Sequence, residues 1–152
     1  MSHHFLDTSA LVKHYHSEVG TPTVERLWSD ASAKLFISRQ GVVETVSVFA
    51  RKVRSGIIAA ADFTLLRRRF FADLRRHRPI LVRLLVKHFQ EADRLLQTHS
   101  LVHNLNTLDA LQLAVSLDLR DRQMLDEFVT ADRVLLTVAP LEGLTVRNPQ
   151  TS

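Results

Sequence analysis

Five short apolar runs punctuate the chain: Phe5-Leu6, Leu35-Phe36-Ile37, Ile80-Leu81-Val82, Phe128-Val129-Thr130 and Leu144-Thr145-Val146. Segments with helical periodicity fill the intervals between them. Runs this short resemble buried helix on hydropathy alone, but their β-branched and aromatic content and their bounded length favour strands. Strands separated by helices cannot close as tight hairpins, so they pair in parallel with the helices packed on the sheet faces. The expected fold class is therefore α/β, a three-layer α/β/α sandwich with a central, mostly parallel sheet of four to five strands. At 152 residues the chain buries one sizeable core and not two, which gives a single domain over residues 1–152.

Local signals place the helices. Ala10, Leu11, Val12, Tyr15 and Val19 recur at roughly helical intervals after Asp7-Thr8-Ser9. Gly20-Thr21-Pro22 reads as a stop followed by a start, with Thr21 as N-cap and Pro22 at the first helical position. Ser38 is placed to cap a helix carrying Val42, Val46, Phe49 and Val53, which Gly56 ends. A long helix is expected over about 59–76, stopped by Pro79. Another bears Val86, Phe89, Leu95 and Leu96 and closes near His99, and one opens at Asn106-Thr107. Asp132 to Leu136 reads as a helical turn.

Composition removes several chemistries. There is no cysteine, so a disulfide framework, a thiolate metal site and a Cys nucleophile are all excluded. No apolar run approaches membrane-spanning length, and the N-terminus lacks the basic and hydrophobic regions of a secretory signal, so a cytoplasmic protein without membrane association is expected. The formal net charge is +4 and the sequence pI about 10.1, which makes a polyanion a plausible partner. Arg outnumbers Lys sixteen to four, and the guanidinium fork suits phosphate recognition. The stretch from Arg67-Arg68-Arg69 to Arg75-Arg76-His77-Arg78, together with Arg51, Lys52 and Arg54, is the natural surface for such a partner, or equally a solvated helix face. His3 and His4 fall at a terminus expected to fray and are not assigned as ligands. Tyr15 and Trp28 read as core or interface.

Most carboxylates sit in polar company, among them Glu18, Glu25, Asp30 and Asp73, and Asp118 and Asp121 read as solvated. Four do not. Asp7 and Asp132 each follow a strand directly and precede a helix. In parallel sheets the carboxyl ends of strands gather ligand groups, although a carboxylate at a helix N-terminus has the same local pattern. Glu44 has only Gln40, Gly41, Ser47 and Val48 as its helical neighbours, so no basic partner is in reach on its own helix. Asp109 is crowded by Leu105, Leu108, Ala110, Leu111, Leu113 and Ala114, where an uncompensated charge costs several kcal/mol. If all four converge, the site is oxygen-only and selects a hard divalent cation, Mg²⁺ or Mn²⁺. Such ions suit phosphodiester hydrolysis. Without a cation, at least one of four clustered carboxylates should hold a proton near neutral pH.

These residues carry a resemblance to the PIN-domain proteins, and more closely to the VapC-type toxin ribonucleases of bacterial toxin–antitoxin pairs. It rests on Phe5-Leu6-Asp7-Thr8-Ser9-Ala10-Leu11-Val12-Lys13, on Glu44 in the helix after Ser38, on Leu105-Asn106-Thr107-Leu108-Asp109-Ala110-Leu111-Gln112-Leu113-Ala114, and on Phe128-Val129-Thr130-Ala131-Asp132. The similarity covers essentially residues 4–147. It implies that Asp7, Glu44, Asp109 and Asp132 are the acidic metal-binding and catalytic quartet, and that Thr130 is a hydroxyl that orients one of them. It further implies a Mg²⁺- or Mn²⁺-dependent endoribonuclease acting on RNA, a homodimer, and inhibition by a small cognate antitoxin. Arg51, Arg54, Arg67 and Arg68 are the candidate RNA-binding residues. Asn106 and Gln112 depart from the family pattern, which often has Arg and His there. Two other readings compete: a non-catalytic RNA- or protein-binding module on the same fold, and an aspartyl-phosphate phosphatase with Asp7 as nucleophile. The second lacks the usual Asp-x-Asp pair, Ser9 standing at the second position.

Overall fold

The structure, a computed structural model, describes residues 1–152. Its elements in chain order are β1 (His3–Leu6), α1 (Thr8–Tyr15), α2 (Thr21–Ser29), β2 (Lys34–Ser38), α3 (Arg39–Arg54), α4 (Ala60–Arg75), β3 (Ile80–Val82), α5 (Val86–His99), α6 (Thr107–Asp121), β4 (Glu127–Val129), α7 (Arg133–Leu141) and β5 (Val146–Arg147). The five strands form one sheet in the order β3-β2-β1-β4-β5, every pairing parallel.

Alternation along the strands sorts the side chains into two cores. The register aligns Phe5 with Phe36 on one side and with Phe128 on the other. All three point to the face covered by α5, α6 and α7, with Ala92, Leu95, Leu113, Leu135 and Val138. Phe5 and Phe128 stack there at 5.6 Å between ring centroids. One residue on, Leu6, Ile37 and Val129 face the opposite layer, with Leu11, Tyr15, Phe49, Leu66 and Phe70 from α1, α3 and α4. This is the three-layer α/β/α sandwich, with five strands.

Several boundaries move for physical reasons. α1 ends at Tyr15 instead of continuing to Val19, which is exposed. Thr21 does not cap α2. Gly20 occupies the N-cap with φ of 96°, and Thr21 Oγ1 instead accepts from the Glu18 amide and donates to the Lys13 carbonyl. Gly20 has no substitute here, because a Cβ would also meet the Pro149 backbone and the Lys13 side chain at 3.1 Å. The helical turn at Asp132 extends into the nine-residue α7, since Leu135, Val138 and Ala139 all find core. The last strand shifts to Val146–Arg147 because Leu144 is drawn into the core below the sheet.

The N-terminus is not frayed. His3 and His4 belong to the central strand, and His4 is buried with Nδ1 3.1 Å from Glu127. Asp118 is not solvated either, being held by Lys87, His88 and Arg122. Asp73 accepts the Tyr15 hydroxyl at 2.8 Å.

Candidate active site

The chain steps outward from β1 to β2 to β3, then returns to the other side of β1 as β4 and β5. That reversal opens a crevice at the carboxyl ends of β1 and β4, where ligand sites of parallel sheets form. A groove of about 1100 Å³ lies there, and Asp7, Glu44, Asp109 and Asp132 all line it.

Asp7 caps α1. Its Oδ1 accepts the Ala10 amide at 2.9 Å and the Ser9 hydroxyl at 2.7 Å, and its Oδ2 accepts the Thr130 hydroxyl at 2.8 Å. Thr130 Oγ1 also accepts the Asp132 amide, and Ser9 Oγ accepts the Ala131 amide. The β1–α1 and β4–α7 junctions are thereby knit together through hydroxyls, with Asp7 only 3% exposed. Burial, opposed by those hydrogen bonds and reinforced by the charge of Asp132, pushes the Asp7 carboxyl up to about 7. A proton near neutrality is thus expected on this carboxyl, with burial and not mutual repulsion as the leading cause.

Asp132 caps α7, its Oδ1 accepting the Val134 and Leu135 amides. Asp109 lies in the first turn of α6, where Asn106 Oδ1 accepts the Asp109 amide at 2.9 Å. Burial and then the nearby charge of Asp132 push the Asp109 carboxyl up to about 6, with Glu44 adding to the effect. Glu44 reaches across from α3. Its Oε2 accepts Thr8 Oγ1 at 2.5 Å and Gln112 Nε2 at 3.1 Å, while its Oε1 is buried with no hydrogen-bond partner.

No Lys, Arg or His forms an ion pair with any of the four carboxylates. As placed, no three of them close on one point at ligating distance. The donor set fits a hard cation: it is all oxygen, and Glu44, which lines the groove, keeps one buried carboxylate oxygen without a partner. The phosphatase reading finds no second carboxylate two residues after Asp7: Ser9 stands there and donates its hydroxyl to Asp7.

Thr8, Ser9, Gln112, Lys13, Glu18 and Lys52 also belong to the groove; of these only Lys52 was expected to meet a ligand, on the surface it shares with Arg51 and Arg54. A signal existed for the two lysines. Lys13 falls three residues after Ala10 and Lys52 three after Phe49, so each occupies the apolar face of its helix, and each is buried. Their common partner is Glu18, at 2.8 Å from Lys13 and 3.1 Å from Lys52. Burial pushes the Glu18 carboxyl up, but the two ammoniums outweigh it and hold it below the ordinary value.

The arginines separate. Arg51 lines the groove, and Arg54 is exposed in the last turn of α3. Arg67 and Arg68 border a different, smaller depression beside Phe63 and Phe71, and the Arg67 guanidinium lies 4.6 Å from the Phe71 ring centroid. Arg78 is not available to a ligand. Its guanidinium donates to the carbonyls of Leu27, Trp28, Asp30 and Ala33, closing the C-terminal end of α2.

A parallel sheet with four carboxylates at its switch point, none of them in an ion pair, defines an α/β domain with an acidic groove. The PIN domain family model matches residues 4–140, and the chain belongs to that family. No curated protein is significantly similar to it in sequence. Solved structures are similar in fold. VapC20 from Mycobacterium tuberculosis, described as a sarcin-ricin loop cleaving toxin, superposes with a TM-score of 0.67 at 17% identity, covering 93% of this chain and 96% of that one. FitAcB from Neisseria gonorrhoeae gives 0.64 at 14% identity over 96% and 97%. VapBC2 from Rickettsia felis, bound to a DNA fragment from its promoter, gives 0.60 at 14% over 96% and 98%. No helix is long and apolar enough to cross a membrane.

Proposed function

We propose that this chain is a metal-dependent endoribonuclease and the toxin of a toxin–antitoxin pair. The observation that carries the reading is the buried Glu44 Oε1, without a partner, in a groove shared with three further carboxylates that no basic side chain neutralises. A binding module that merely used this fold would gain stability by pairing or replacing such groups.

Asp7, Glu44, Asp109 and Asp132 would hold Mg²⁺ or Mn²⁺. When bound, such ions activate water and neutralise charge on a phosphodiester. The chain's own groups set the geometry. Ser9 and Thr130 fix both oxygens of Asp7, while Thr8 and Gln112 hold Glu44 Oε2 and leave Oε1 without a partner. Gln112 thus takes a positioning role at the position where the resemblance often has His. Arg51 and Arg54 supply positive charge along α3 for the RNA backbone, and Arg67 and Arg68 offer a separate basic surface. The setting is cytoplasmic, as a homodimer controlled by a small antitoxin.

The test is cleavage of total RNA by purified protein. Cleavage is expected in Mg²⁺ or Mn²⁺, is lost on adding EDTA, and falls by at least about 100-fold in Asp109→Asn with the fold retained. Intact RNA under both metals, from folded protein, refutes the reading.

A further inference from the structure

The groove is electrically polarised, and its second pole has no assigned role. α1 and α3 follow adjacent parallel strands and run side by side in the same direction. Thr8 touches Glu44 near their starts, and His16, just past the end of α1, touches Lys52 at 3.2 Å. Asp7 and Lys13 are six residues apart on α1, and Glu44 and Lys52 are eight apart on α3. The rise of a helix therefore sets the lysine backbone positions about 9–12 Å along the helix axes from those of the carboxylates.

At that end, two buried ammoniums share one carboxylate. The Lys13 side chain is 4% exposed and Lys52 10%, and both line the groove. An ammonium has three donors. Lys13 Nζ uses one, on Glu18, and Lys52 Nζ uses two, on Glu18 and on His16 Nδ1. A structural tie between α1 and the loop that follows needs only one lysine for one glutamate. The second adds a buried positive charge that no protein carboxylate balances, which is costly unless an anion completes the site. Exposed Arg51 on the groove wall extends the same field.

We propose that Lys13 and Lys52, spaced by Glu18, form a subsite for a backbone phosphate of the RNA strand whose scissile bond lies at the carboxylates. This rests on the nuclease reading and deepens it. The separation corresponds to about three nucleotides of a stacked strand, fewer in an extended one. Cleavage thus requires a strand that continues past the cut, and mononucleotide esters are poor substrates. Glu18 keeps the lysines apart and in place; it is a positioning residue.

The chain has only four lysines, so protein labelled with ¹⁵N-lysine reports the site directly, with the exposed Lys34 and Lys87 as internal controls. In Asp109→Asn protein, which holds cleavage off, a single-stranded RNA oligonucleotide is expected to move the Lys13 and Lys52 Nζ signals and leave the controls in place. Lys52→Gln, checked for folding by thermal melting, is expected to weaken RNA binding about ten-fold and to flatten the slope of log K against log salt by about 0.7. Lys52→Arg restores the slope. RNA binding that leaves both lysine signals and the salt slope unchanged overturns the subsite while leaving the nuclease reading standing. No RNA binding at all overturns both. If poly-glutamate moves the lysine signals and RNA does not, the site belongs to an acidic protein and the proposal is refuted.

Discussion

Asp7→Asn should stabilise the metal-free protein at alkaline pH, although it removes a residue of the proposed active centre. Burial holds the Asp7 carboxyl at about 7, against 3.8 for the free group. Below the unfolded value both states are protonated and the residue is neutral in effect. Above about 7 the folded state carries a buried carboxylate, and the penalty reaches about 4 kcal/mol. Asparagine keeps the oxygen that accepts from Ala10 and Ser9, but its amide faces Thr130 Oγ1, which then loses its acceptor at a cost of about 1 kcal/mol. The variant should therefore gain about 3 kcal/mol at pH 8, or roughly 6–12 °C in Tm for a chain of this size. As pH falls from 7 to 4 the advantage disappears, and below 4 the variant becomes slightly the less stable. The assay is thermal melting of both proteins in EDTA across pH 4–8. Parallel curves, or a variant no more stable than wild type at pH 8, would show that the Asp7 carboxylate is not penalised by its surroundings. Adding Mn²⁺ at a hundred times Kd should nearly cancel the difference, because it stabilises only the wild type, by about 2.7 kcal/mol.

Gln112→Ala removes the amide that holds Glu44 Oε2, and Mn²⁺ affinity measured by calorimetry should fall 10- to 100-fold, within the usual range for residues that orient ligands; unchanged affinity would deny Gln112 its positioning role. Arg78→Ala strips donors from four carbonyls at the end of α2 and should cost about 2–3 kcal/mol in urea unfolding. RNA affinity per folded molecule should stay the same, and a loss of affinity would return Arg78 to the RNA-binding surface.

Much of the architecture was legible because it is local. Five strand segments, the helices between them and the caps at Ser38 and Asn106 depend on residues within a turn or two of one another, where periodicity and capping chemistry act. Asp7 and Asp132 could be placed at strand ends for the same reason. What the sequence could not decide was which groups meet. Glu44 and Gln112 are 68 residues apart, and their hydrogen bond exists because α3 and α6 approach the same strand ends. The arginines of α3 and α4 look alike in sequence, yet packing puts Arg51 on the groove, Arg67 on another surface and Arg78 under the end of α2. Lys13 and Lys52 lie on the apolar faces of their helices, and Lys52 read only as one more charge beside Arg51 and Arg54. Only the parallel alignment of α1 and α3 turns them into a pair on one glutamate. The amino-acid order thus settled the elements and the kinds of chemistry they carry, because those obey short-range rules. The tertiary structure settled the partners, because convergence depends on the order of strands in the sheet and on the layer each helix covers.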